Sequence, residues 1–258
     1  MLLHHRIEGQ GSPVVLIHAG IADSRMWDPQ WDAFTARHRT LRYDMREFGE
    51  SGPPGGPFAH GSDLIGLIEQ LKMGPAALVG ASLGGRVATE VAIARPDLVR
   101  ALVLVGPGLP ATGWSEDVRG YGEEEERLLR AGDLDGAADL TVRFWVDGVG
   151  REPEEVDPAV RDAVRRMQLR AYPHMKDADP DGEQPTVEGV ASRVGEISMP
   201  TLLIVGDHDR PDIVRTVEWL AQEVPGAQLE RMPGTAHLPS MEQPERFTEL
   251  VLGFLERA

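Results

Sequence analysis

Short apolar runs that end at or next to a glycine most constrain the fold of this chain. They are brief and rich in β-branched residues, as is typical of strands covered on both faces of a sheet. The runs are Pro13–Gly20, Ala76–Ala81, Ala101–Gly106 and Thr201–Gly206, and an earlier strand is expected at about Leu2–Ile7. Helical patterns separate them, at residues 28–37, 61–72, 82–95, 212–224 and 243–257. This alternation predicts an α/β fold with a mostly parallel, doubly wound sheet and right-handed crossovers.

The chain between Gly106 and Pro200 departs from this alternation, because it contains helical patterns but no strand-like run. We therefore predict a helical insertion between two strands of the sheet. The predicted organisation is a first core part at residues 1–107, a helical cap at 108–198 and a second core part at 199–258.

The charge balance and the absence of cysteine exclude several kinds of site and partner. The 258 residues include 26 Lys and Arg against 42 Asp and Glu, a formal net charge of −16. Such a field repels phosphate backbones and anionic lipid, so we expect neither a nucleic acid nor a membrane as partner. With no cysteine, disulfides, thiolate metal sites and a cysteine nucleophile are excluded. The N-terminal stretch MLLHHRIEGQG lacks the long apolar segment of a signal peptide or membrane anchor, so we expect a cytoplasmic location.

The stretch LVGASLGGRVA places a serine between glycines where a predicted strand ends and a predicted helix begins. Gly80, Ser82 and Gly84 match the pattern G-x-S-x-G, which in this context holds a nucleophilic serine on a sharp, strained turn. Side chains at the flanking positions would collide with the neighbouring strand and helix. The alternative is that Ser82 is an ordinary helix cap. The pattern alone leaves both interpretations open.

Candidate partners for this serine lie near the end of the chain. A serine hydroxyl becomes a good nucleophile when a base takes its proton, and that base needs an orienting carboxylate. Asp207 and Asp209 directly follow the predicted strand Thr201–Gly206, and His237 lies on a loop after the next strand. Of the eight histidines, His237 alone occupies this place in the chain order Ser, Asp, His.

The chain resembles the α/β-hydrolase superfamily over nearly its whole length. The resemblance rests on LIHAGIADSRMWDPQ, RYDMREFGESGPP, LVGASLGGRVA, PTLLIVGDHDRPD and GTAHLPSMEQPERF, in the order and spacing of that family. It implies the α/β-hydrolase fold with a helical cap, Ser82 as nucleophile and His237 as base. It favours Asp209 as the acid, because the family usually places this residue three positions after the strand-ending glycine, here Gly206. Asp207 is the alternative.

The resemblance also implies an oxyanion hole made of two backbone N–H groups. One belongs to Leu83, at the start of the helix that follows the serine. The second belongs by position to Gly20, with Ile21 as the alternative, because Ala19 replaces the glycine that usually follows the family's histidine. That histidine, His18, is expected to tie the loop down and not to act as a base.

Other expectations concern the loops and the wall of the pocket. Glu47 stands where the family commonly has glycine, and Asp44, Arg46 and Ser51 are expected to pin the turn around it. Three large apolar side chains are expected to contact the substrate, namely Trp27, Trp145 and Met175.

The resemblance implies a serine hydrolase that cleaves a small to medium-sized carboxylic ester or lactone, similar to esterases and to enol-lactonases of the 3-oxoadipate type. Such chemistry requires neither a metal nor an organic cofactor. Relatives with the same residues act as carbon–carbon bond hydrolases or perhydrolases, and others as lyases, cyclases or small-molecule receptors, so these remain alternatives. Epoxide hydrolases and haloalkane dehalogenases use an aspartate nucleophile, and Ser82 argues against both.

Overall fold

The computed structural model describes residues 3–53, 56–110, 113–175 and 182–258. A seven-stranded sheet forms its centre, in the order β1-β3-β2-β4-β5-β6-β7. The first strand is antiparallel to its neighbour, and all other pairs are parallel. The strands are β1 (His5–Glu8), β2 (Pro13–Ile17), β3 (Arg39–Tyr43), β4 (Ala76–Ala81), β5 (Val99–Val105), β6 (Thr201–Gly206) and β7 (Gln228–Met232).

Helices cover both faces of the sheet. They are α1 (Asp28–Thr35), α2 (His60–Leu71), α3 (Leu83–Ala94), α4 (Glu116–Ala131), α5 (Leu134–Thr141), α6 (Pro158–Met175), α7 (Val190–Arg193), α8 (Pro211–Glu223), α9 (Pro239–Glu242) and α10 (Pro244–Leu255). The connection from β2 to β3 runs in the opposite direction along the sheet to those from β3 to β4 and from β4 to β5. Right-handed crossovers therefore place α1 on one face and both α2 and α3 on the other. In agreement, α1 packs against α10 and α2 against α3. The predicted doubly wound fold is confirmed.

The sequence prediction omitted one strand, β3. Its segment RTLRY contains two arginines and no continuous apolar run, yet all but its first residue are buried. The Arg42 guanidinium lies 4.5 Å from the Trp31 ring centroid and forms an ion pair of 2.5 Å with Asp28. The arginine stem thus covers apolar surface while its head is paired. A hydrophobic-periodicity pattern counts arginine as a polar residue, which explains why this strand was not predicted.

The inserted segment between β5 and β6 is helical, as predicted. It contains α4, α5, a π-helical turn at Val142–Asp147 and α6, and the described part of it contributes no strand to the sheet. A single isolated bridge joins Glu183 to Phe58. The prediction that residues 108–198 form a separate cap domain stays a prediction.

A buried arginine ties the inserted segment to the sheet's loops. The guanidinium of Arg151 donates to the carbonyls of Val146 (2.7 Å), Asp147 (2.8 Å) and Gly234 (2.9 Å). It also donates to Glu242 Oε2 at 2.7 Å, and both side chains of this ion pair are only 7% exposed. One side chain therefore fixes the insertion against the loop that follows β7.

The other partner in this pair reaches the loop of His237. Glu242 Oε1 accepts the backbone N–H of Ala236 at 2.7 Å, one residue before the histidine. Burial raises the pKa of Glu242, although the bonds from Arg151 and Ala236 oppose that rise. The Glu242 carboxylate therefore links the insertion to the position of His237.

Glycine at the end of β6 allows a close backbone approach. A Cβ atom on Gly206 would lie 2.3 Å from the carbonyl oxygens of both Thr235 and Ala236. Real Cβ atoms do not approach backbone oxygens so closely. The His237 loop can therefore lie against the end of β6 only if residue 206 has no side chain.

We expect Gly206→Ala to destabilise the protein by about 2 kcal/mol or more, because the added methyl group must push the buried loop away from β6. Gly120→Ala is the control, since Gly120 lies within α4 with no atom near its virtual Cβ. Replacement of this helical glycine by alanine should stabilise the protein by about 0.5–1 kcal/mol. Urea unfolding measures both changes, and equal effects of the two substitutions would contradict the steric argument.

We expect Glu242→Ala to cost about 3–5 kcal/mol, because it leaves the Arg151 charge buried without its partner. Glu126→Ala provides a matched comparison, since Glu126 pairs with Arg130 on the exposed face of α4. That substitution should change the free energy of unfolding by less than about 0.5 kcal/mol. Thermal and urea unfolding give the values, and a small loss for Glu242→Ala would show that Arg151 finds other acceptors.

Candidate active site

Ser82 has a backbone conformation that is rare for any residue other than glycine. Its φ is +50° and its ψ is −112°, at the junction of β4 and α3. An ordinary helix cap has extended backbone and accepts a bond from the first turn through its side-chain oxygen. Ser82 makes no such side-chain bond. The structure therefore excludes the helix-cap alternative and agrees with a serine on a strained turn, at a cost of about 1–3 kcal/mol.

The flanking glycines allow this turn, as the sequence predicts. A Cβ atom on Gly80 would lie 2.2 Å from the carbonyl oxygen of Gly84. A Cβ atom on Gly84 would lie 2.4 Å from the carbonyl oxygen of Ile17 and 2.6 Å from that of His18, both at the end of β2. The turn is thus packed tightly between its own helix and the neighbouring strand.

Asp209 and His237 form a buried pair. The His237 Nδ1 lies 3.0 Å from Oδ1 and 2.9 Å from Oδ2 of Asp209, and both side chains are 1% exposed. The N–H of Arg210 donates to Asp209 Oδ1 at 2.7 Å. Asp207, the alternative acid, is exposed and accepts the N–H of Gly234 at 2.8 Å. The structure therefore pairs the histidine with Asp209 and not with Asp207.

Glycines and a tryptophan place this pair close to Ser82. A Cβ atom on Gly106 would lie 3.1 Å from Asp209 Oδ2 and 3.4 Å from His237 Nδ1. Two residues further, the N–H of Gly108 donates to the Ser82 carbonyl at 2.9 Å. The loop after β5 thus contacts the Asp–His pair at one end and the serine at the other.

The Trp145 ring also lies near both the His237 imidazole and Ser82. Its centroid lies 4.5 Å from that of the His237 imidazole, and the tryptophan shares a cavity wall with Ser82. Because Nδ1 is held by Asp209, the Nε2 atom is on the opposite edge of the imidazole. Within the described residues no hydrogen bond joins the Ser82 hydroxyl to that histidine, so the three side chains are grouped but the last bond is not formed.

The residues predicted to supply the oxyanion hole, Leu83 and Gly20, lie next to each other. Leu83 is the first residue of α3, where an N–H has no acceptor within the helix. The Gly20 position lies beside it, with a virtual Cβ 3.4 Å from the Leu83 Cβ. Residues 20 and 83 are therefore neighbours, Leu83 lies in the cavity wall and Gly20 does not, and the two oxyanion donors stay a prediction.

His18 ties down the loop that carries Gly20, as expected. Its Nδ1 is 2.8 Å from the Ala19 carbonyl, and its Nε2 accepts the N–H of Met45 at 2.9 Å. Burial lowers the pKa of the imidazole. A fully buried, neutral ring with both nitrogens bonded is a structural element.

Asp44 accepts hydrogen bonds from three residues and thereby fixes the neighbouring loops. Its carboxylate accepts the N–H groups of Ser24 and Glu50, both at 2.8 Å, and its carbonyl accepts the Ser51 hydroxyl at 2.5 Å. Burial would raise the pKa of the carboxyl, but the bonds that the carboxylate accepts from Ser24 and Glu50 favour its charged form, and the pKa is lowered. The predicted pinning role of Asp44 and Ser51 is confirmed, and Arg46 pairs with Asp63 instead, at 2.5 Å.

A cavity of about 550 Å³ opens above Ser82. Leu83 and Trp145 lie in its wall. Its other lining residues are Arg86, Gly108, Leu109, Pro110, Trp114, Glu183, Gln184, Pro185 and Ile213. A groove of about 680 Å³ between α1 and α10 is larger, but it contains none of the motif residues.

Two predicted substrate contacts are not in this wall. Trp27 is fully buried and packs in the core against Phe247, with ring centroids 6.0 Å apart. Met175, at the end of α6, packs against a small cluster that includes Ala137 and Tyr172. Both predictions fail for the same reason. A large apolar side chain near a motif can pack in the core as readily as it can line a pocket.

The sequence analysis did not identify the charged part of the wall. Arg86 follows Ser82 by one helical turn and donates to Glu90 at 2.9 Å and to Glu183 at 2.5 Å. Burial opposes ionisation of the guanidinium, but the two carboxylates raise its pKa overall. The spacing of Arg86 from the serine was a readable signal, whereas no local pattern marks Glu183.

Glu47, the departure from the family's glycine, has a φ of +73°. The position therefore uses a left-handed conformation that glycine adopts at no steric cost. Burial, together with the charge of Glu183, raises the pKa of the Glu47 carboxyl.

In the part of the chain that the structure describes, no group of three or more His, Asp or Glu side chains is arranged to hold a metal ion. The same residues contain no helix of sufficient length and apolar character to cross a membrane.

The chain is similar to several known proteins. The 2-hydroxymuconate semialdehyde hydrolase of Pseudomonas putida is 30% identical, covering 97% of this chain and 89% of that protein. An esterase from Thermogutta terrifontis has a TM-score of 0.83 at 29% identity, over 99% of this chain and 93% of that one. The enol-lactonase from Burkholderia xenovorans has a TM-score of 0.81 at 26% identity, over 98% and 96%.

The sequence model of the family described by the alpha/beta hydrolase fold matches residues 12–244, which include the serine turn and the Asp–His pair. With this match, the sheet order and the geometry at its edge, the chain belongs to the α/β-hydrolase fold family.

Proposed function

We propose that this protein is a serine hydrolase that cleaves a small to medium-sized carboxylic ester or lactone. The observation that carries the proposal is the strained, uncapped Ser82 beside the buried Asp209–His237 pair. A helix cap or a packing serine has no need of that strain, whereas a nucleophile on a tight turn presents its oxygen to the cavity.

The chemistry follows from the positions of these groups. Ser82 attacks the carbonyl carbon, and His237 Nε2 takes the hydroxyl proton as the new C–O bond forms. The negative oxygen of the tetrahedral intermediate accepts bonds from the N–H groups of Leu83 and Gly20, and the N-terminus of α3 adds a favourable dipole. His237 then protonates the leaving alcohol, and later activates the water that releases the acid from Ser82.

The aspartate has an orienting role in this scheme. Because its carboxylate accepts the Nδ1–H, Asp209 holds the tautomer that leaves Nε2 free to accept a proton, and it stabilises the imidazolium. Trp145 limits the movement of the ring from the other side. In this scheme the serine hydroxyl donates to Nε2 in the substrate complex, and apo sites of this type often tighten in that way.

The similarity to known proteins supports hydrolysis in general, but it does not select one type of bond. The Thermogutta protein is an esterase and the Burkholderia protein an enol-lactonase, which favours an ester or lactone. The most favoured alternative is hydrolysis of a carbon–carbon bond, because the semialdehyde hydrolase is as similar in sequence. The same serine, histidine and oxyanion donors serve both reactions.

We further propose that residues 108–198 act as a cap that shapes the cavity, since Trp114, Trp145 and Glu183 contribute to its wall. The partner is then a small molecule that enters between the inserted helices and the sheet. The cytoplasmic location stays a prediction from the sequence.

We expect Ser82→Ala to abolish covalent labelling by a fluorophosphonate probe, because it removes the attacking oxygen. The probe reaction is followed by intact-protein mass spectrometry. Ser82→Gly is the control for the strained backbone: it should abolish labelling equally but raise the unfolding free energy by about 1 kcal/mol, since glycine tolerates a positive φ. Labelling that persists in either variant would identify another nucleophile.

We expect Asp209→Asn to lower kcat by about 10³- to 10⁴-fold, because an amide favours the wrong tautomer of His237. Asp207→Asn is the matched control, since this side chain lies two residues away and can still accept the Gly234 N–H after substitution. It should keep kcat within about threefold of the wild type, as is usual for an exposed position. Steady-state hydrolysis of p-nitrophenyl butyrate measures both, and the reverse ranking would refute the assignment of the acid.

A further inference from the structure

The cavity above Ser82 has a largely apolar wall that carries one pair of opposite charges. Apolar side chains make most of its wall, namely Leu83, Leu109, Pro110, Trp114, Trp145, Pro185 and Ile213, and Ser82 and Gln184 add uncharged polar groups. Arg86 and Glu183 are the ionisable groups among its lining residues. A charge in a largely apolar wall affects which ligands enter, although solvent screens part of the Glu183 charge, because its side chain is 36% exposed.

The positive charge of this wall is already neutralised. Arg86 donates from Nη1 to Glu90 and from Nη2 to Glu183. Glu90 is 3% exposed and lies on the same helix, so it remains paired with the guanidinium. A carboxylate on a ligand would therefore meet a cation that two protein carboxylates already surround.

Two further ionisable side chains among the described residues interact with this pair, namely Glu47 and His60. The pKa of the Glu47 carboxyl is raised by burial and by the charge of Glu183, so the two carboxylates are close enough to repel. Burial lowers the pKa of His60 to about 4, which leaves this neighbouring imidazole neutral. Arg86 is thus opposed by Glu90 and Glu183.

Glu183 is held in place by backbone bonds. The N–H of Phe58 donates to the carbonyl of Gly182 at 2.7 Å, and the N–H of Gln184 donates to the carbonyl of Phe58 at 2.6 Å. Both neighbours of the glutamate are therefore fixed to the segment that leads into α2. Its carboxylate lies in the cavity wall, paired with Arg86.

We propose that Glu183 is a specificity-determining residue that makes the cavity accept esters or lactones with an uncharged acyl part and reject those that carry a carboxylate. The inference rests on the proposed hydrolase function and narrows its substrate class. Without Glu183, one edge of the Arg86 guanidinium would face the apolar cavity and would attract an anion. When Glu183 is present, its carboxylate offsets the attraction of the Arg86 guanidinium for an anionic substrate.

The test compares two esters of nearly equal shape, ethyl 4-methylpentanoate and monoethyl succinate. The first ester ends in an isopropyl group where the second has a carboxylate. We expect the wild type to prefer the uncharged ester in kcat/KM. Glu183→Gln should lower this preference by about tenfold, since removal of one charge at short range from the substrate changes its binding by that order. Hydrolysis is followed by titration of the released acid.

Glu188→Gln is the matched control. Glu188 is exposed on the same segment but is not part of the cavity wall, and its substitution changes the net charge by the same amount. It should leave the preference between the two esters within about twofold, because an exposed charge outside the cavity is screened by solvent. A preference of the wild type for monoethyl succinate, or equal effects of Glu183→Gln and Glu188→Gln, would overturn the proposal.

Failure of the proposed function would be seen separately. Fluorophosphonate labelling at Ser82 tests the nucleophile without either ester. If the protein hydrolyses neither ester, the fluorescence of Trp114 and Trp145 in the cavity wall still reports binding of both. Weaker binding of monoethyl succinate that Glu183→Gln relieves by about tenfold supports the proposal, and tighter binding of monoethyl succinate to the wild type refutes it.

Discussion

The strained turn at Ser82 is the constraint on which the rest of the site depends. A positive φ at a serine costs about 1–3 kcal/mol, and the turn persists because its surroundings permit no relaxed alternative. Gly80 faces the carbonyl of Gly84, which in turn faces the end of β2, at distances that leave no room for a side chain. The parallel strands β2 and β4 are thus more than a scaffold. Their close approach at the carboxyl edge keeps the serine oxygen exposed and the first N–H of α3 without an acceptor.

Buried carboxylates organise the loops that leave this edge. Asp44 gathers the backbone N–H groups of Ser24 and Glu50, and Asp209 holds both an imidazole and the N–H of Arg210. A loop after a buried strand has donors that need acceptors, because backbone groups away from water must be paired. An aspartate satisfies several donors with one short side chain. Loop order and the orientation of His237 therefore have the same physical origin.

The parts of this structure that the sequence predicts are those set by local rules. The strands β4 and β6 begin and end at the predicted residues, because each is a continuous apolar run bounded by turn residues. The partnership of Asp209 with His237 follows from the family's chain order. The strand β3 escaped prediction since Arg42 is buried by a stacked tryptophan, and Trp27 was assigned to the pocket although the core contains it. Glu183 could not be found from sequence, because it meets Arg86 across 97 residues and only in the folded chain.

In the proposed mechanism, catalysis and selectivity come from different parts of the molecule. Every group assigned to bond breaking lies on a loop or helix start at the edge of the sheet, whereas the charge that Arg86 presents depends on Glu183, which follows the inserted helices. The core can therefore keep its chemistry while the insertion changes the ligand, as is usual where variable segments are mounted on a fixed scaffold. In this chain the arginine one turn after the serine would by itself favour anions. The residue that the insertion brings to it reverses that preference, so the substrate class is decided where the two parts meet.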